Sequence, residues 1–455
     1  MSVFIAALTV AICLQAPGGT SARPDATVRA RAAIEWLLAK DFATLEAQFT
    51  DDMKKAMPAS RLASMWSRLH AGLGEHRACE TQPRVVDIGT KRMVITRCEF
   101  ERATIDLQFA FDAAGRISGL TFRPVMPAVP SYTLPPYAKP GGYVEEEVTI
   151  GAGAWALPGT LTLPAGTAAS PLVVLVHGSG PNDRDETIGA IRPFKDLAVG
   201  LASRGLAVLR YEKRSRVHAT RMAGLTRYTV REAVVDDVLE AVKVGGAHPR
   251  IDPKRVFVLG HSLGAALVPR IAAVTPSAAG FIVLAGPARP LHDAMVEQVQ
   301  YVAGADGTIS TEERETLDRT RALADSVRAL RQEDDVTGRS IGGLPAAYWL
   351  DLRGYDPPVA ARQVDAPMLI LQGERDYQVT MKEYERWKTT LAGHPGVTFR
   401  SYPALNHLFI AGSGPSLPAE YFRSGHVDEQ VIADIADWVT ARVSGRVSGF
   451  GPGGA

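Results

Sequence analysis

Val256-Phe-Val-Leu-Gly-His-Ser-Leu-Gly-Ala-Ala-Leu267 is an apolar run that breaks at Gly260-x-Ser262-x-Gly264 and continues into small, helix-favouring residues. It predicts a buried strand, a sharp corner and a helix, with Ser262 at the corner. A serine hydroxyl is a poor nucleophile at neutral pH and gains chemistry only when it is exposed where a base can reach it. Gly260 and Gly264 make such a corner possible, because side chains there would collide with the backbone around the turn. Ser262 is therefore the candidate nucleophile. The plainer reading is an ordinary glycine-flanked turn.

If Ser262 attacks a carbonyl, three further parts are needed, and the sequence offers each one after a short apolar run. Donors must meet the oxyanion. Leu263 has a backbone N–H at the start of the helix, and His177-Gly-Ser-Gly-Pro follows the run Leu172-Val-Val-Leu-Val, making Ser179 the second candidate with Gly180 as its competitor. That loop lacks the Gly-Lys-Ser/Thr ending of a phosphate-binding loop. An acid and then a histidine should follow late strands. Met368-Leu-Ile-Leu-Gln-Gly-Glu-Arg-Asp puts Asp376 after one, with Glu374 as rival, and Val397-Thr-Phe-Arg-Ser-Tyr-Pro-Ala-Leu-Asn-His puts His407 after the next, with His426 as rival.

Around these segments, apolar runs at 206–209 and 281–284 alternate with amphipathic stretches such as Val230, Val234, Val238 and Val242, or Val431, Ile435, Trp438 and Val439. The expected class is α/β, a mostly parallel sheet covered by helices. The interval 286–362 is too long for one crossover and predicts an inserted helical cap. Within it Asp306-Gly-Thr-Ile resembles half an EF-hand loop, but Val302 and Gly304 occupy ligand positions, so a glycine turn and a Ser310/Glu313 capping box are expected instead.

Residues 24–126 read differently: helical periodicity to about Leu73, then alternating segments at 84–88, 93–96, 104–109 and 117–122, the pattern of a small α+β domain. Proline-rich residues 127–142 suggest a linker, and the second domain spans 143–445. The apolar run at the N-terminus, closing on Thr20-Ser21-Ala22, reads as a signal peptide over residues 1–22, which implies export to the periplasm or beyond and no stable membrane insertion once it is removed. Removing Cys13 with that leader leaves Cys79 and Cys98, either a disulfide or two buried thiols.

With 50 Lys plus Arg against 49 Asp plus Glu, the net charge of +1 provides no field for nucleic acid. His218, His248, His292 and His394 are scattered without metal-ligand spacing. In the charged run Asp183-Arg-Asp-Glu and at Arg210, Tyr211 and Arg214, either a salt-linked loop or an arginine meeting substrate is expected, the first favoured.

Over residues 143–443 these motifs resemble the α/β-hydrolase superfamily. His177-Gly-Ser-Gly-Pro-Asn-Asp-Arg-Asp-Glu-Thr and Leu209-Arg-Tyr-Glu-Lys-Arg are similar to a group of bacterial carboxylesterases related to dienelactone hydrolases and prolyl-oligopeptidase-like enzymes. Dienelactone hydrolases carry a cysteine where this chain has Ser262, so their substrate is not implied. The first domain resembles the NTF2-like or cystatin-like domains that precede secreted hydrolases. What the resemblance implies is a Ser-His-Asp esterase acting on small-molecule, short-chain esters without a cofactor. A peptidase, thioesterase or acyltransferase with the same triad, or a binding protein with a vestigial hydrolase domain, are the alternatives, and oligomeric state stays unassigned.

Overall fold

The computed structural model describes residues 25–444, apart from 89–90, 102 and 126–129. The leader expected at 1–22, with Cys13, lies outside the described residues. The chain divides into two units, Met1–Ala128 and Val129–Ala455.

In the first unit, helices Ala26–Leu38, Phe42–Ala47, Asp51–Ala56 and Ala59–Leu73 precede a five-stranded antiparallel sheet. Strand alternation does the packing. Ile105, Leu107, Phe109 and Phe111 of Thr104–Phe111 are buried with Ala30, Ala33, Leu37 and Trp66 of the helices. Two elements have no such signature in the sequence. Helix Asp51–Ala56 buries no residue and is held by the Thr50 cap, whose hydroxyl accepts from Met53 N at 3.3 Å. Strand His76–Cys79 has no inward–outward alternation and is held by pairing with Lys91–Phe100, where Cys79 faces Cys98 and forms a disulfide with it.

The second unit is an eight-stranded sheet. From one edge to the other its strands are Val397–Tyr402, Met368–Gly373, Gly280–Leu284, Ile251–His261, Ser170–Val176, Ala207–Tyr211, Leu157–Pro164 and Tyr143–Ile150. The first six run parallel and the last two are antiparallel. Because side chains alternate between faces, the apolar runs serve two cores. Val173, Leu175, Phe257, Leu259, Ile282 and Leu284 pack with helices Pro193–Ala202 and Glu429–Val443. Val176, Val258, Phe281, Val283 and Ile370 pack with Asp236–Gly246 and Val268–Val274. The valine face starting at Val230 opens with one wide π-turn, Arg231–Val235, before regular helix resumes.

The proline-rich stretch is not a free tether along its whole length. Tyr132 Oη donates to Asp196 at 2.7 Å and Tyr137 Oη to Val427 O at 2.7 Å, which ties this part to the second unit. Between Leu284 and Met368 stand helices Leu291–Ala303, Thr311–Arg328, Ala346–Arg353 and Pro357–Ala361 and a short hairpin, Ser340–Ile341 with Leu344–Pro345. Val327, Leu330, Ile341, Ala346 and Trp349 give this insertion its own small core. Asp306 Oδ1 accepts from Thr308 N at 2.9 Å to close the turn, and Ser310 and Glu313 form the capping box. Among the described residues no helix is long and apolar enough to cross a membrane.

Candidate active site

The sheet presents the C-terminal ends of its central strands to one rim, where open α/β sheets bind ligands. At the end of Ile251–His261, Ser262 sits at φ 52°, ψ −117°, a region that costs a side-chain-bearing residue about 1–3 kcal/mol and persists only when its surroundings enforce it. Ser262 N donates to Leu284 O and Ser262 O accepts from Ala266 N, each at 3.0 Å. A Cβ on Gly260 would lie 2.3 Å from Gly264 O, and one on Gly264 would lie 2.4 Å from Val176 O. Both glycines are therefore required by close backbone approach.

His407 and Asp376 meet: His407 Nδ1 lies 2.6 Å from Asp376 Oδ2, with both side chains buried. Asp376 Oδ1 accepts from Gln378 N (2.7 Å) and Val379 N (2.9 Å), and Oδ2 also accepts from Gln372 Nε2 at 3.2 Å. A carboxylate so supplied with donors is fixed in orientation. The loop that carries His407 is shaped by Asn406, whose Oδ1 accepts from Leu408 N (3.0 Å) and Ile410 N (3.2 Å). It also passes so close to the acid's strand that a Cβ on Gly373 would lie 2.5 Å from Leu405 O. Among the described residues, no hydrogen bond joins the Ser262 hydroxyl to His407. His261 connects their neighbourhoods, its ring centroid 4.8 Å from that of His407 and its Nε2 3.1 Å from His407 O.

Ser179, Leu263 and Ser262 line one end of a cavity of about 280 Å³. Leu291, Met295, Leu323, Leu344, Trp349 and Leu352 of the insertion supply apolar side chains to its walls. Its one cationic lining residue, Arg289, is neutralised by Glu297 and Glu383, the latter at 3.0 Å. The site thus offers an apolar chamber, a serine at a strained corner and backbone donors beside it. The N–H of Leu263 opens its helix and has no partner in the helical ladder.

The rivals lie elsewhere. Glu374 is exposed and accepts from Ser401 Oγ at 2.8 Å, and His426 Nδ1 faces Asp196 at 3.3 Å. Arg184 binds Glu147 (2.7 Å) and Glu212 (3.0 Å), and Arg214 binds Asp237, so the charged run is a salt-linked loop. The described residues hold one His/Cys/acid grouping of metal-ligand size, His76, Cys79 and Cys98, and its sulfurs are bonded to each other.

Two features went unread in the sequence. Gln372 interrupts an apolar strand, a signal that could have marked it. The second is a buried polar group behind the 177–181 loop: Glu186 Oε1 accepts from Gly178 N at 2.6 Å, and Oε2 lies 2.8 Å from His261 Nδ1 at ion-pair distance without hydrogen-bond alignment. The Lys213 ammonium donates to Gly178 O. No spacing in the sequence connects these residues.

Comparison with known proteins agrees with the architecture. Residues 173–427 match the model of the alpha/beta hydrolase family, and residues 30–120 match a family of proteins of unknown function, DUF3887. Esterase EstD of Thermotoga maritima is 37% identical over 406 residues, covering 89% of this chain and 93% of its own. Among solved structures, Est1E from Butyrivibrio proteoclasticus aligns at 15% identity and a TM-score of 0.41 over 66% of this chain and 99% of its own. A hyperthermophilic esterase from Pyrobaculum calidifontis aligns at 15% identity and a TM-score of 0.43 over 66% of this chain and 86% of its own. With a family match over more than half of the chain and a relative 37% identical over most of both sequences, the chain belongs to the alpha/beta hydrolase family.

Proposed function

We propose that this protein hydrolyses carboxylic esters of small molecules, with Ser262 as nucleophile, His407 as base and Asp376 as the group that orients the imidazole. The observation that carries the reading is the buried 2.6 Å contact between His407 and Asp376 on the loops that flank the strained Ser262 corner. With Nδ1–H donated to Asp376, the neutral ring keeps its Nε2 lone pair for the serine proton. A rotation of the serine side chain or a small loop movement closes that contact when substrate binds, since catalytic hydrogen bonds commonly tighten only in the complex.

Attack by Ser262 Oγ on the ester carbonyl gives a tetrahedral oxyanion that the N–H groups of Ser179 and Leu263 stabilise, each contributing about 3 kcal/mol at comparable sites. His407 then returns the proton to the alcohol as it leaves, and water activated by the same ring releases the acid. The apolar chamber, with its arginine already neutralised, favours uncharged acyl groups, and its volume favours short ones. The 37% identity to a protein named as an esterase supports ester over amide bonds. The Cys79–Cys98 disulfide supports export to an oxidising compartment, periplasmic or extracellular; cell fractionation tests this, and a wholly cytosolic protein would contradict it.

The deciding experiment measures wild type and Ser262→Ala on p-nitrophenyl esters of increasing acyl length, with acyl thioesters and peptide amides alongside. Turnover greatest on short esters, and lost in Ser262→Ala with its melting temperature unchanged, is the expected result. Near-normal turnover in the variant would refute the assignment.

A further inference from the structure

We propose that Lys213 is a positioning residue of the oxyanion hole, acting through the Gly178–Ser179 peptide; this rests on the reading above in which the Ser179 N–H is an oxyanion donor. The amide joining residues 178 and 179 carries the carbonyl of Gly178 and the N–H of Ser179. In a planar trans amide these two groups point in opposite directions. Fixing the carbonyl therefore fixes where the N–H aims.

Lys213 does this from behind. It is buried at the N-terminal edge of helix Arg214–Val217, and its ammonium donates to Gly178 O. Its own backbone N–H donates to Asn182 O at 3.2 Å, so the lysine and the loop are joined twice. Asn182 Nδ2 donates to Gly178 O (3.3 Å) and Ser179 O (3.0 Å) as well. On the other side, the N–H of Gly178 is held by Glu186 at 2.6 Å. Gly178 is packed so tightly that a Cβ there would lie 3.1 Å from both Ser262 Cβ and Glu186 Oε1. Gly178 is thus held through its own N–H in one amide and through its carbonyl in the next, which leaves the Ser179 N–H as the unheld end of the Gly178–Ser179 amide.

A charge on the carbonyl also changes the strength of the N–H. A cation bonded to an amide oxygen draws electron density from nitrogen and makes its proton a better donor, the same polarisation that strengthens linked hydrogen bonds in a low-dielectric interior. The gain is felt most when negative charge develops on the substrate oxygen, so it should favour the transition state over bound substrate.

Burial lowers the Lys213 ammonium to about 8, with Glu186 and Asp237 opposing the fall. The charged and titratable groups that act on it are Glu186 and His177 from the oxyanion strand and loop and Asp237 on helix Asp236–Gly246, which is itself paired with Arg214. Above this value the charge is lost, and kcat should fall with it.

The test uses the full chain on a short p-nitrophenyl ester. Lys213→Met should lower kcat at pH 7 by about tenfold, with KM and melting temperature little changed, and Lys213→Gln, which keeps a neutral donor, should lose less. Affinity for an alkylboronic acid, which forms a tetrahedral adduct on the serine, should weaken by the same factor as kcat/KM in Lys213→Met. In wild type, kcat should decline near pH 8, and in Lys213→Met this alkaline decline should be absent. An unchanged kcat in a folded variant would overturn the proposal, as would a boronate affinity that does not follow the rate. Should neither variant fold, a wild-type kcat that stays flat to pH 9 overturns it and a decline near pH 8 supports it. Ser262→Ala run in parallel separates the two ideas, because residual turnover there removes the triad itself, whereas a silent Lys213 removes only its positioning role.

Discussion

Two buried carboxylate–histidine pairs lie close together at the rim of the sheet, and only one of them leaves a ring nitrogen without a partner among the described residues. Asp376 holds His407 at 2.6 Å, and Glu186 faces His261 at 2.8 Å. Each carboxylate also accepts backbone N–H groups. The difference is at the far side of each ring. His261 Nε2 is within 3.1 Å of His407 O, and because a carbonyl can only accept, that nitrogen must carry a proton. Its Nδ1 lies 2.8 Å from a carboxylate oxygen whose attraction raises the ring above its ordinary 6.5, so the far nitrogen of His261 is taken up as a donor and is not open as a base. Among the described residues nothing is bonded to His407 Nε2. A carboxylate partner therefore does not make a histidine a base; a vacant second nitrogen does.

Substituting the rings separates the two pairs most strongly. His407→Ala should lower kcat by about 10⁴-fold or more, as removal of a triad member does elsewhere, with its melting temperature close to wild type. Asp376→Asn should cost about 10⁴-fold, because an amide at that position permits the wrong tautomer of His407. If Asp376→Asn left kcat within tenfold of wild type, the distinction between the two carboxylates would collapse.

The second pair should report in stability rather than in chemistry. Breaking a buried ion pair by removing one charge typically costs about 3–5 kcal/mol, so Glu186→Gln should melt several degrees lower while kcat falls far less than in Asp376→Asn. The pH dependence has a direction. Burial disfavours both charges, but the attraction between them outweighs it: Glu186 is held below its ordinary 4.5 and His261 above its ordinary 6.5. The lowered carboxylate stabilises the fold above pH 4.5 and loses this as pH falls through its folded value; the raised imidazole stabilises it below pH 6.5 and loses this as pH rises through its folded value. The gap in melting temperature between wild type and Glu186→Gln should be widest between pH 4.5 and 6.5 and narrow on both sides. A gap that stayed constant from pH 6.5 to 9 would show that no raised charge on His261 contributes.

The same contrast explains what could be read from the chain alone. Ser262, Asp376 and His407 each follow an apolar strand at a fixed short distance, and backbone geometry there is local, so a linear pattern carries it. Gly373 next to the loop that carries His407 obeys the same rule. Glu186, His261 and Lys213 converge because three loops from different strands fold over one another, and each residue by itself looks like an ordinary charged or polar position. Within the first unit, helix Asp51–Ala56 has no fully buried residue, with Met53 only partly covered at the edge of the core, and so leaves no periodic trace. The length of the 286–362 interval marks an insertion, but the chamber depends on how Leu323, Trp349 and Leu352 meet, and spacing does not encode that.

At the opposite extreme from both pairs are the charges of the insertion's long helix, Thr311–Arg328. Arg328 pairs with Asp325 at 2.7 Å and with Asp293 at 2.5 Å, yet its side chain is 49% exposed. Water competes for both ends of such a pair and the ordered arginine loses rotamer freedom, so the contact returns little. Arg328→Ala should therefore leave melting temperature within about 1 °C and kcat within error, and added salt should not change that result. A clear loss of activity in this variant would mean that the insertion is braced over the chamber by its surface charges, and the division between buried, load-carrying polar groups and idle exposed ones would need redrawing.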